Sequence, residues 1–368
     1  MKRPHILFVA NEVLGWATYS RQLRLILAQR TDIQATVIQR RPPRALMRLA
    51  RRHSDSNLMK RIRPFDPIRL YAGPMGHAIR HAITENRPDI VHIAAHWPAG
   101  AITSMQSDLP YTLALDATRA SIGRDLPLAA WSVKDCATEA ELCQNAACLF
   151  PMSNWARKSL NDDYNIPSAR IQVTPPSLAS TRWPKPANSA NAIPQILFIG
   201  NDLKRKGADR LARWVNGPLT GRCHLHIVST DSASPPQGPD ITFHGAVAHD
   251  HLMSDLIPQM DVFCLPTLLD MSPFVLVEAA AAGLPIVASD LGGIADLVDT
   301  GKSGILVPPT DEDGFIAALS TLIDDKQLRQ KMGQRAREIA AERFDADRNF
   351  GALINRLVEI ATARTAVK

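Results

Sequence analysis

Two carboxylates and one run of cations are the residues best placed to do chemistry in this chain. The stretch DMSPFVLVEAAAAGLPIVAS (270–289) holds Asp270 and Glu278 in an otherwise apolar, Ala-rich setting. GNDLKRKG (200–207) sets Lys204, Arg205 and Lys206 just before a helix expected to open near Gly207. A helix rises about 1.5 Å per residue, so Asp270 and Glu278 are not adjacent and suit different parts of one elongated ligand. A buried acid needs a partner, and the paired hydroxyls of a ribose supply one for Glu278; the alternative is a structural Glu278 bonded to backbone or to an Arg. Asp270, ahead of the helix, would then meet a sugar. Cations at a helix N-terminus oppose its dipole unless an anion is shared, and a diphosphate satisfies both; the alternative is a solvated basic turn. A helix beginning near Ser272 would aim its first amides at the same anion.

Those residues sit on turns that parallel strands must hold. Apolar runs read as strands at 5–10, 33–39, 89–95, 111–116, 146–151 and 170–175, and again at 195–200, 223–229, 240–245, 261–266, 285–289 and 304–308. Helical stretches fall between them, from Gly15 through Gln29, at 153–160, 207–215 and 250–257, and finally at 311–323, 326–341 and 345–363. Alternation of this kind predicts parallel sheets covered on both faces. PPSLASTRWPKPANSANAIP (175–194) has the composition of a linker. The expected division is an N-terminal domain 1–178, a linker 179–194, a C-terminal domain 195–345 and a last helix 346–368. Ligands of open parallel sheets bind beyond the carboxyl ends of the strands, which selects NEVLGWAT after the first strand, GNDLKRKG and LLDMSPF. Neither G-x-G-x-x-G nor a P-loop is present, which argues against a nicotinamide dehydrogenase and a P-loop nucleotidase. Gly15 either permits a tight turn or lets the backbone approach a phosphate.

The chain has 368 residues, which favours two domains over one. No run of eighteen apolar residues occurs, so a membrane span is not expected. MKRPHILFVANEV lacks a small-residue cleavage site and reads as a first strand, not a signal peptide. Five cysteines without C-x-x-C spacing argue against a metal site or a disulfide framework and point to a reducing cytoplasm. The charge is uneven: residues 1–185 carry 25 Lys+Arg and 14 Asp+Glu, net +11, and the rest carry 17 and 22, net −5. Much of the excess lies between Arg40 and Arg69, where leucines and methionines are interleaved with arginines. That stretch is either a solvated arm or a surface for anionic lipid, each basic side chain adding roughly 1 kcal/mol there. Nucleic acid is set aside, because no aromatic residues alternate with the cations as a stacking platform.

DMSPFVLVEAAAAGLPIVASDLGGIADLVDTGKSGILVPPTD (270–311) resembles the nucleotide-sugar signature of retaining glycosyltransferase family 4. The family pattern is two acids separated by seven residues, then Ala-x-Ala-x-Gly-x-Pro, a strand and a Gly-Gly turn. HILFVANEVLGWATYSRQLRLIL, FPMSNWARKSL, IPSARIQVTPP and ILFIGNDLKRKGADRL extend the likeness over most of the chain. The resemblance implies an α/β protein of the GT-B fold: two Rossmann-like, doubly wound domains facing a central cleft, the C-terminal helix crossing back to the N-terminal domain. It implies transfer of a sugar from a nucleoside-diphosphate sugar to an acceptor hydroxyl with retention, by front-face attack without a covalent residue, in cell-surface polysaccharide or glycolipid synthesis. Closure of the domains across the linker would assemble the site.

The residue roles carried over are these. Glu278 matches the acid that contacts the ribose, Asp270 the acid facing the transferred sugar, and Lys206 the lysine on the diphosphate. Backbone around Ser272, Pro273, Phe274 and Val275 would hold sugar and phosphate oxygens, with the Gly15 loop contributing. No metal or other cofactor is expected. The departures are Asp270 where Glu is commoner, Asn201 in place of an arginine five residues before the lysine, and TPPS in place of Pro-Asn-Gly. Lys204 or Arg205 would compensate for Asn201. The N-domain strand that often ends in a histidine has Leu115 there, leaving Asp116, as a catalytic candidate, with Thr118, Arg119 and His96 to line the acceptor and sugar region. Base recognition is expected around Val228–Thr230 and His244–His249. The partners implied are the donor, a glycan or lipid-linked acceptor, and an anionic membrane touched through 40–69 at its cytoplasmic face. Asn201 and Leu115 favour a different class, a nucleotide-binding relative without turnover. A sugar-nucleotide epimerase or a phosphorylase on the same fold is a third reading.

Overall fold

In the computed structural model, HILFVAN forms β1 (His5–Asn11), and its apolar residues Ile6 to Val9 are at most 1% exposed. Residues 3–11, 15–40, 67–95, 108–126, 131–184, 186 and 191–365 are described. The basic segment 41–66 lies outside them, and so do His96 and parts of the linker. The chain divides into two units. The first comprises Met1–Ala120, Trp131–Thr174 and Asp347–Lys368, and the second Ser121–Ala130 and Pro175–Ala346.

The first unit is built on β1, β2 (Gln34–Arg40), β3 (Ile90–Ala94), β4 (Tyr111–Leu115) and β5 (Cys148–Pro151), in the order β2-β1-β3-β4-β5. Every pairing is parallel. Strands β3, β4 and β5 are buried at every position, as continuous apolar runs covered on both faces should be. His92 and Thr112 are polar exceptions, and they pair with each other. His92 Nε2 lies 3.1 Å from Tyr19 Oη and its Nδ1 2.9 Å from Thr112 Oγ1, so both ring nitrogens are satisfied inside the core. The last helix, Ala346–Thr365, places Phe350, Leu353, Ile354 and Leu357 at 0% exposure. Phe350 meets Tyr19 edge-on, ring centres 4.9 Å apart.

The second unit contains β6 (Gln195–Ile199), β7 (His224–Val228), β8 (Ile241–Gly245), β9 (Val262–Leu265), β10 (Ile286–Ser289) and β11 (Gly304–Val307). Their order is β11-β10-β9-β6-β7-β8, again parallel throughout. The chain runs outward from β6 to β7 and β8, then returns to the other side of β6 for β9. The point between β6 and β9 is therefore where the strand order reverses, and ligands of open α/β sheets bind there. Asp311 and Asp325 cap the following helices by accepting from Gly314 N and Leu328 N, each at 2.8 Å.

Three local expectations are corrected. RIQVTP (170–175) is not a strand: it meets β5 through one bridge, Leu149 to Ile171, before Pro175 and Pro176 remove the donors a ladder needs. The cations 204–206 do not merely precede a helix; they lie in a turn of their own, Leu203–Lys206, capped by Asp202. The stretch 249–259 is helical but passes through α, π and 3-10 geometry in succession.

Candidate active site

The turn after β6 and the loop after β9 deliver the two most polar groups of the site to the same place. Lys206 Nζ lies 2.7 Å from Asp270 Oδ2, and each side chain is only 15% exposed. Strand β6 pairs directly with β9, so the residues beyond their carboxyl ends are neighbours despite their distance in sequence. Gly200 makes the approach of Lys206 possible: a β-carbon at Gly200 would stand 2.7 Å from Lys206 Cδ.

The loop carrying Asp270 is fixed from three sides. Leu268 N donates to Arg205 O at 2.8 Å, and Arg205 Nη1 donates to Leu269 O at 2.5 Å. Ser289 Oγ donates to Thr267 O at 2.6 Å, tying the loop to the end of β10. Gly293 N donates to Met271 O at 2.7 Å. Gly292 next to it adopts φ +56°, and a β-carbon there would meet Asp270 O at 2.7 Å, so backbone packs on backbone beside the acid. The helix Phe274–Ala282 then begins, with Pro273 as its N-cap and no side chain accepting from its first amides. That start is two residues later than expected. Ser272 is buried, and its Oγ has no hydrogen-bond partner among the described residues.

Glu278 lies on that helix at 5% exposure. Its Oε1 is 3.0 Å from His249 Nε2. A carboxylate oxygen accepts, so Nε2 carries the proton in this pair. This contact is not legible in the sequence: the partners are 29 residues apart, and the sequence points to the region His244–His249 only for base recognition.

The remaining candidates divide. Asn201 Oδ1 accepts from Thr230 N at 2.8 Å and from Thr230 Oγ1 at 2.7 Å, which anchors the loop after β7. Lys204 is exposed. Arg205 donates to Asp202 Oδ2 at 2.8 Å and to Leu269 O at 2.5 Å, so its guanidinium ties the turn to the loop that carries Asp270. Val275 is half-buried in the first turn of the Phe274 helix. In the first unit, Gly15 is exposed at the start of the helix Gly15–Leu27. Asp116 is half-buried just past β4, and Leu115 is fully buried.

Thr118 and Arg119 do not line an open site. Thr118 is 0% exposed, its Oγ1 2.5 Å from Ser159 Oγ. Arg119 is 5% exposed, donates to Asp135 O at 3.0 Å and lies 4.6 Å from the Trp131 ring centre. Both side chains turn into the structure, where Ser159, Asp135 and Trp131 meet them.

On β7 and β8, His226 Nδ1 is 2.9 Å from His244 Nε2, and the rings stack. Burial first, then the neighbouring histidines, lowers the His226 pKa to about 4. Among the described residues no group of three or more His, Cys, Asp or Glu is placed to hold a metal ion. No helix of the described residues is long and apolar enough to cross a membrane.

Residues 193–325, which carry all of these second-unit groups, match the family described as glycosyl transferases group 1. Glycogen synthase of Mycobacterium tuberculosis is 27% identical over 278 residues, covering 70% of this chain and 66% of that protein, a little under two thirds. Among solved structures, sucrose-phosphate synthase from Thermosynechococcus elongatus superposes with a TM-score of 0.77 at 17% identity, covering 96% of this chain and 99% of that one. Anabaena Alr3699/HepE, solved in complex with UDP and glucose, gives a TM-score of 0.66 at 15% identity, covering 96% of this chain and 98% of that one. The fold is that of the GT-B glycosyltransferases: α/β, two Rossmann-like units, each on a parallel sheet. The matched segment thus holds the ion pair, the helix start without a side-chain cap and the buried Glu278.

Proposed function

We propose that the chain transfers a sugar from a nucleoside-diphosphate donor to an acceptor hydroxyl with retention of anomeric configuration. The observation that carries this reading is the Lys206–Asp270 pair at the strand-order reversal, beside the start of the Phe274–Ala282 helix. An ammonium has three donors, so Lys206 can keep Asp270 and still reach a diphosphate. The leaving group is a nucleoside diphosphate whose phosphates gain charge as the glycosidic bond breaks. Lys206 and the first amides of the helix are fixed donors for that charge, and fixed donors need no reorganisation during reaction. Asp270 takes a hydroxyl of the transferred sugar, and Glu278 the ribose. The reading assigns no metal, since these groups cover the charge that a cation would otherwise neutralise.

The acceptor side is argued from charge. The excess of cations between Arg40 and Arg69 suits a lipid-linked or glycan acceptor at the cytoplasmic face of an anionic membrane, in synthesis of a cell-surface polysaccharide or glycolipid. Sedimentation with phosphatidylglycerol vesicles tests this: binding that survives deletion of 40–69 removes its basis. For the donor, calorimetry with UDP, GDP and ADP is the direct test. Saturable binding of one of them, lost in Lys206→Ala, is expected; a folded protein that binds none overturns the donor assignment. The second reading, a nucleotide binder without turnover, is favoured by Asn201, which stands in the arginine's place and gives its amide oxygen to Thr230. It predicts nucleotide binding with neither transfer nor hydrolysis of the sugar nucleotide.

A further inference from the structure

Glu278 is not alone in its pocket, and the manner in which His249 reaches it has a physical consequence. The carboxylate is 5% exposed, on a helix whose other residues from Phe274 to Ala282 are, Val275 aside, buried and apolar. A lone carboxylate in such a place rotates about its terminal torsion, which is broad and weakly restrained. His249 removes that freedom. Its Nε2–H donates to Oε1 at 3.0 Å, and Oε2 makes no hydrogen bond to any described residue. The His249 side chain is 25% exposed, so it stands at the rim and not in the core.

The segment that carries His249 is built to hold it there. The turn His249–His251 is α, residues Leu252–Leu256 are π, and Ile257–Gln259 are 3-10. Leu252, Met253 and Ile257 are all buried and anchor the stretch. The Ile257–Gln259 turn packs on the Phe274–Ala282 helix itself. On the outer side, Asp250 pairs with Arg182 at 2.9 Å. π turns are rare and recur at functional sites. Here the π turn lets the apolar anchors stay buried while the first turn presents His249 to the acid.

We infer that His249 is a positioning residue for ribose recognition. Holding Oε1, it turns Oε2 toward the ligand, so that a vicinal diol meets an oriented acceptor and not a freely rotating one. His249 touches the acid and not the ligand. The inference rests on the donor reading above, and its test separates the two.

The probes are UDP, GDP and ADP, and the 2′,3′-dideoxy form of whichever binds. Removing one hydrogen bond to a charged group should weaken the ribonucleotide about tenfold in His249→Ala. His249→Gln, which keeps an N–H within reach, should recover most of that loss. The dideoxy form should bind the wild type weakly and lose nothing further in His249→Ala. A ribonucleotide that binds wild type and His249→Ala equally overturns this inference while leaving the donor reading intact. The same holds if both nucleotide forms weaken alike, since His249 would then act on something other than the diol. Failure of the wild type to bind any nucleotide overturns both.

Discussion

Lys206 and Asp270 form a partly buried pair, and removing either member exposes what the other does. Lys206→Ala should weaken nucleoside-diphosphate binding on the order of 100-fold, as expected when a charge-assisted hydrogen bond is removed from a sheltered site. Asp270→Asn should leave nucleotide affinity within about threefold and abolish transfer, because Asp270 is assigned to the sugar. Calorimetry and a sugar-release assay on the two proteins check this, and equal loss of binding in both would refute the division of roles. Glu278→Ala should raise the donor KM strongly with the fold intact. Unchanged kinetics would sink its assignment to the ribose. Lys206 and Asp270 were legible in the sequence because each lies on a turn after a strand, and Glu278 because it is the one acid in an apolar helix. The fates of Thr118 and Arg119 were not: a residue just past a strand can face solvent or be covered by the next helix, and only packing decides.

At the scale of the element, the site depends on loops that cross closely. Gly292 adopts φ +56°, and a β-carbon there would stand 2.7 Å from Asp270 O. Gly292→Ala should cost about 1–3 kcal/mol in strain and push the 270–272 loop out of place. Gly200→Ala acts differently, since the clash is with the side-chain stem of Lys206. It should leave the urea midpoint near wild type and weaken nucleotide binding, a split that urea denaturation and binding calorimetry resolve. A loss of stability in Gly200→Ala as large as in Gly292→Ala would refute the distinction. The helix caps Asp311 and Asp325 were readable locally, because capping is a contact between residues three apart. The π turn in 249–259 was not, because no local preference selects it; its anchors are set by what they pack against.

For the whole molecule, the last helix, the buried His92 and the half-buried His226 each contribute to stability. Phe350 is fully buried against Tyr19, and Phe350→Ala should cost about 3–5 kcal/mol, from reduced burial and the cavity left behind. Burial lowers the His92 pKa from 6.5 to about 3, and His226 falls to about 4. Both are neutral when folded and take up a proton near 6.5 when unfolded. The unfolded chain therefore binds more protons below that value, so stability is full above pH 6.5 and declines as pH falls toward 4 and then 3. Chemical denaturation at about pH 7.5 and about pH 5 should show the drop, and His226→Asn should make it shallower. An identical decline in that variant would remove His226 from the account.

The amino-acid sequence determined the alternation of strands and helices, because buried parallel strands must be runs of apolar residues and turns must be polar. It determined which turns could hold a ligand, because those turns follow strands and carry the charged residues. Tertiary structure alone decided that β6 lies beside β9, and with it that Lys206 meets Asp270. It also decided that His249 holds Glu278, that Asn201 holds Thr230, and that Phe350 packs on Tyr19. These contacts join residues far apart in the chain. Their energies come from burial and from satisfying polar groups in a shared space, which no local pattern encodes.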